Sequence, residues 1–140
     1  WRFKKSIVGL SMYVWFSQMG FPHNTLEFPY KRQSPITKKN KEYESIEDVI
    51  NELYALVDTF ADSDFSLGRN LYFYIPLFAK PEWFITEEHS EIVKEYNYMK
   101  NYNLPLASSL DQADSYKLDM FDIINNELNA VRQYLGEKNG

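Results

Sequence analysis

The sequence predicts a mainly α fold: a compact bundle-like domain of three to four helices with a minor extended or β component. Three observations carry that prediction. Ile46, Val49, Ile50, Leu53, Leu56, Val57 and Phe60 recur at i, i+3, i+4, i+7, i+10, i+11 and i+14, one continuous helical stripe. Two further stripes, Ile92–Met99 and Met120–Leu135, keep the same period. A length of 140 residues, 44% hydrophobic and 25% charged, suits one globular domain.

The first element is ambiguous, helix or strand over residues 6–17. Val8, Leu10, Met12, Val14 and Phe16 alternate with Gly9, Ser11, Tyr13 and Trp15, as a strand would, while Phe3, Ile7, Leu10 and Val14 share one helical face. Length and a stop at Gly20 favour the helix. Arg2-Phe3-Lys4-Lys5 before the apolar run Ile7–Phe16 imitates a secretory leader, but no small-x-small site precedes Gly20. That run of ten residues falls short of the about 20 that span a bilayer, so a buried element and no transmembrane segment are expected. The chain opens on Trp1, not Met, and so reads as processed or as a piece of something longer.

Residues 21–44 read as an extended connection, since Pro22, Pro29 and Pro35 each bar a helix. Ser45 is the expected N-cap of a helix over 45–61, with Glu47 and Asp48 at its positive end and Glu47, Asn51, Glu52 and Asp58 on its polar side. Residues 62–70 form a polar turn. Leu71–Ile75 reads as a buried strand or extended segment ended by Pro76. Thr86 caps a helix running to about residue 102, which Asn103-Leu104-Pro105 breaks. The last helix spans about 110 to 135, with Ser109 and Gln112 at capping-box spacing and Gly136 as its C′ stop.

Charge divides the chain unevenly. Residues 1–41 hold eight bases against one acid, Glu27, a balance of +7; the remaining seven bases and 19 acids leave −12. The expected organisation is one domain, 1–140, with a basic N-terminal segment and extended loop (1–44) on an acidic helical body (45–140). Such parts attract each other or meet different partners. The 3 Trp, 11 Tyr and 10 Phe suit a small core that also presents a sticky face.

No reactive constellation emerges. Cysteine is absent, which excludes disulfides, Cys-ligated zinc and iron–sulfur clusters, and thiol nucleophiles. Asp62-x-Asp64-x-Ser66 imitates the start of a calcium loop, but Leu67 stands where glycine is needed and Phe73 where a bidentate glutamate is needed. Glu87, Glu88, His89, Glu91 and Glu95 crowd one helix without a Glu-x-x-His pair, so a solvated acidic face is expected. His23 and His89 are the only histidines, no Gly-x-Ser-x-Gly elbow exists, and Gly68 is isolated. No catalytic residue, metal ligand or cofactor is assigned. No Asn-x-Ser/Thr acceptor occurs, which favours an intracellular setting without fixing a compartment.

The expected function is that of a non-catalytic protein–protein interaction module, an accessory subunit or inhibitor in a larger macromolecular assembly. Its candidate partner-binding residues are Phe28, Tyr30, Lys31, Arg32, Lys38, Lys39 and Lys41 in the basic segment, with Trp83 and Phe84 beyond Pro81. The plainer alternatives are that the basic segment lies over the chain's own acidic helices and that Leu71–Ile85 is core. A rival class is a nucleic-acid-binding accessory protein using the basic aromatic segment 21–41, although a pI near 5.0 argues against general coating of nucleic acid. The same segment also suits a membrane interface. A small enzyme of unknown class, built around His89, is the third reading.

Overall fold

The computed structural model describes residues 2–102 and 115–139. Helix α1 (Arg2–Met19) is its axis. Val8, Met12 and Phe16, four residues apart, enter one core cluster; Leu10, Val14 and Trp15 enter a second. Two residues along a helix turn about 200°, so alternate positions fall on opposite sides. The strand-like alternation therefore arises from a helix buried on two faces. Gly20 ends it with φ 99° and donates its N–H to Phe16 O at 2.8 Å.

The first cluster packs on α2 (Ile46–Thr59), which buries Val49, Leu53 and Leu56. Ser45 is extended as expected, but its side chain makes no cap bond; the Asp48 carboxylate instead accepts from Glu44 N–H at 2.9 Å. Glu52, expected on the polar side, is buried. It lies three residues after Val49 and four before Leu56, on the flank of the stripe rather than opposite it.

The expected connection over 21–44 contains an antiparallel hairpin, β1 (Tyr30–Gln33) with β2 (Asn40–Tyr43). Pro22 and Pro29 precede β1 and Pro35 lies in the turn, so none interrupts the ladder. Lys38, at φ 66°, donates its N–H to Ser34 O at 2.9 Å and closes the turn.

The expected strand at Leu71–Ile75 is helix α3 (Leu67–Tyr74), followed by a 3₁₀ turn at Ile75–Leu77. Ser66 starts α3: its hydroxyl accepts from Arg69 N–H at 3.2 Å. Leu67, Leu71 and Ile75 repeat every four residues toward the core. That packing overrides the strand preference of Tyr72, Phe73 and Tyr74. A second 3₁₀ turn, Pro81–Phe84, starts on its proline.

The second cluster lies between α1, α4 (Glu87–Asn101) and α5 (Ser115–Asn139). Tyr96 meets Phe121 edge-on at 5.8 Å and donates its hydroxyl to Asn125 Oδ1 at 3.0 Å. Helix α5 runs through Gly136, the expected stop, because no left-handed residue interrupts it there. The Asn103-Leu104-Pro105 break and the Ser109–Gln112 cap lie outside the described residues. The described residues form a mainly α fold of five helices and one small antiparallel sheet, with α3 the helix that the sequence pattern did not announce. Among the described residues, no helix is long and apolar enough to cross a membrane.

The buried Glu127 carboxylate ties three helices together. Its Oε1 accepts from Trp15 Nε1–H at 2.9 Å and its Oε2 from Gly68 N–H at 3.0 Å. A Cβ on Gly68 would stand 2.3 Å from Trp15 Cδ1 and 2.6 Å from Glu127 Oε1, so only glycine permits this approach. At Gly136 a Cβ would meet nothing within 4 Å. Gly68→Ala is expected to lower stability by about 2–3 kcal/mol. Gly136→Ala is expected to raise it by about 0.5–1 kcal/mol, as for an exposed helix interior. Urea unfolding of both variants checks the opposite signs, and equal midpoints would contradict the packing.

Candidate functional site

The hairpin register divides the basic segment. Tyr30, Arg32, Lys41 and Tyr43 share one face; Lys31, Gln33, Asn40 and Glu42 share the other. Lys41 Nζ lies 3.0 Å from Glu52 Oε1. Ser34 Oγ donates to Glu52 Oε2 and accepts from Ile36 and Thr37 N–H at 3.1 Å each. One carboxylate thus folds the hairpin turn onto α2. Lys38 Nζ donates to Pro35 O at 2.8 Å and sits 5.9 Å from the Tyr74 ring. Lys31, Arg32, Lys38 and Lys39 stay exposed, and among the described residues Arg32 reaches only Lys31 O, at 3.3 Å. The five cations of residues 31–41 therefore do not form a single face, and Lys41 is neutralised from within.

The predicted aromatic residues do converge. Phe28 stacks on Trp83 with centroids 4.9 Å apart and lies 5.4 Å from Tyr30. Tyr30 stacks on Tyr43 at 5.3 Å, and Tyr43 meets Phe78 at 5.9 Å. The array runs from Phe28, 36% exposed, to the wholly buried Tyr43. Tyr30 donates its hydroxyl to Phe78 O at 2.7 Å, which fixes β1 against the first 3₁₀ turn. Burial pushes its phenol up to about 12, against the opposing pull of Arg32. Burial, with help from Glu52, raises Tyr43 further, so both phenols stay neutral. The Tyr43 hydroxyl has no hydrogen-bond partner among the described residues.

Trp83 and Phe84 also wall a groove of about 260 Å³ between α1, α2 and the second 3₁₀ turn. Buried Val8, Gly9 and Leu53, half-buried Ile50 and Tyr54, and exposed Lys5 also line it. Lys5, Ile50 and Tyr54 were not among the candidates drawn from sequence. Ile50 belongs to the stripe assigned to the core, and Tyr54, four residues on, is assigned to neither side of the helix, so a flank that lines a cleft stays hidden.

The acidic helix divides its ionisable side chains between solvent and core. Glu87, Glu88, Glu91 and Glu95 are exposed on α4, and Lys117 Nζ lies 3.0 Å from Glu95. His89 turns inward: its Nδ1 accepts from Thr86 N–H at 3.0 Å, and its ring fills the space a Cβ on Gly9 would need. It occupies the third position of the helix, where a capping box uses Glu or Gln. Burial holds the imidazole below its ordinary value, with Lys5 adding to the effect and Glu88 opposing it. In the calcium-like stretch, Ser66 serves as the cap of α3. Among the described residues, no three His, Asp or Glu side chains converge to hold a metal ion.

No family model, curated protein or solved structure matches the chain.

Since folding favours neutral His89, its contribution to stability is complete above the unfolded value of about 6.5 and is lost as pH falls from there through the lower folded value. The slope is at most about 1.4 kcal/mol per pH unit for this one proton. Denaturant titrations between about pH 7 and about pH 5.5 should show this loss in the wild type and a shallower one in His89→Gln, which keeps an acceptor at the capping position. Parallel curves would remove His89 as the source.

Proposed function

We propose that the chain is a non-catalytic protein–protein interaction module, an accessory subunit or inhibitor in a larger assembly. It docks through the Phe28–Trp83 ridge and the adjoining groove. The observation that carries this reading is a partly exposed aromatic stack bordering a preformed apolar cleft. Aromatic anchors in such clefts carry most of the binding energy at protein interfaces. Exposed Lys31, Arg32 and Lys39 on the neighbouring hairpin favour an acidic partner and speed its approach. The fitting partner segment carries one aromatic or aliphatic anchor flanked by Asp or Glu.

Binding of single-stranded nucleic acid by residues 21–41 is the weaker reading. It needs free rings and a track of cations. Phe28 and Tyr30 already stack on Trp83 and Tyr43, and Lys41 is engaged by Glu52.

Selection of displayed peptides against the chain tests the proposal. Enrichment of acidic sequences with a single apolar anchor is expected. Trp83→Ala should weaken the best peptide by about 2 kcal/mol, roughly thirtyfold, and Lys31→Glu with Arg32→Glu should mainly slow association. Selected peptides indifferent to Trp83→Ala would sink the docking site. Oligothymidine binding at low salt, falling steeply as salt rises, would establish the nucleic-acid reading in its place.

A further inference from the structure

A second cavity, of about 510 Å³, opens between the end of α2, the 60–66 turn, α3 and the hairpin turn. It shares no lining residue with the Trp83 groove. We propose that it binds a planar heteroaromatic anion, a flat ring carrying a phosphate or carboxylate.

The walls fit a ring. Phe60 and Tyr74 lie 5.4 Å apart at 43°, and Phe73 lines the same space while remaining 45% exposed. The cavity exposes aromatic surface that the core has not consumed, and a flat ligand would cover it by offset stacking.

The charges fit an anion. Lys38 and Arg69 both line the cavity, and among the described residues no carboxylate does. This is a positive pocket in a chain of net charge −5. Arg69 is held in place: its guanidinium lies 3.9 Å from the Phe65 centroid and 5.1 Å from that of Tyr134. Its ion pair, Nη1 to Glu137 at 3.4 Å, is long and its acid half-exposed, so an anion in the cavity competes easily for the remaining donors. Lys38 uses one ammonium proton on Pro35 O and keeps two. Among the lining residues, Asn70 donates to Ser63 Oγ at 2.9 Å, which presents an ordered amide and hydroxyl to the polar edge of a heterocycle.

Pocket size supports one such ligand, since sites for small molecules span about 300–1,000 Å³. No side chain of the lining is paired with a base that would activate it, so the inference is of binding alone.

The test is a ¹H–¹⁵N NMR titration of the full chain with adenosine monophosphate and, separately, indole-3-acetate. Adenosine and inorganic phosphate serve as half-ligands. Saturable shifts confined to residues around Lys38, Thr59–Phe65 and Arg69–Tyr74 are expected for at least one anion, with both half-ligands at least about tenfold weaker. The probe that saturates first distinguishes a nucleotide from an aryl carboxylate. Lys38→Asn keeps a residue that tolerates φ 66° while removing the cation, and should weaken the anion about fivefold. Adenosine binding as tightly as its monophosphate, a Lys38→Asn variant of unchanged affinity, or the absence of saturable shifts with either anion would each overturn the proposal.

Discussion

The fold depends on one buried carboxylate. Burying a carboxyl group is costly unless its oxygens are hydrogen-bonded. Glu127 receives the Trp15 indole on one oxygen and the first turn of α3, at Gly68, on the other. The contact therefore sets three things together: the rotation of α1, the approach of α5 and the seat of α3. Because α3 is short, its position fixes the chain immediately beyond it. Ile75 and Phe78 enter the core there, Phe78 O receives the Tyr30 hydroxyl, and Tyr30 aligns β1 beneath Trp83. The candidate docking ridge lies at the far end of that sequence of contacts.

A second buried carboxylate repeats the logic on the other side. Glu52 would be a liability on α2 were it not for Ser34 and Lys41. The acidic body thus draws part of the basic segment inward, which accounts for some of the charge segregation without an external partner. What the pairing leaves exposed on the hairpin, Lys31, Arg32, Lys38 and Lys39, is a smaller and more local positive feature than the +7 balance of residues 1–41 implies.

Legibility in the sequence followed how local the cause was. Helices α2 and α4 and the stop at Gly20 were readable because stripes and terminal residues act within a few positions. Leu71–Ile75 misled because aromatic composition spoke for a strand, while the deciding features were Ser66 as a cap and a four-residue repeat from Leu67. Glu52 and Glu127 could not be singled out: their partners lie 18 and 112 residues away in Ser34 and Trp15. At the site, Trp83 and Phe28 were picked individually. Their stacking across 55 positions, and the roles of Ile50 and Tyr54 in lining the groove, come only from tertiary packing.

The dimensions of the groove constrain the partner proposed for it. A cleft of about 260 Å³ is below the usual range for small-molecule sites and seats one large side chain. One buried anchor supplies about 2–3 kcal/mol, whereas micromolar affinity needs about 8 kcal/mol. The rest must come from flatter surface around Phe28 and from charge on the hairpin. The hairpin cations are solvated, so each adds at most about 1 kcal/mol and less at high salt. A single chain-to-chain contact through this ridge is therefore of modest strength. An accessory subunit held at several points exploits such a contact more readily than a lone tight inhibitor does, because linked weak contacts multiply.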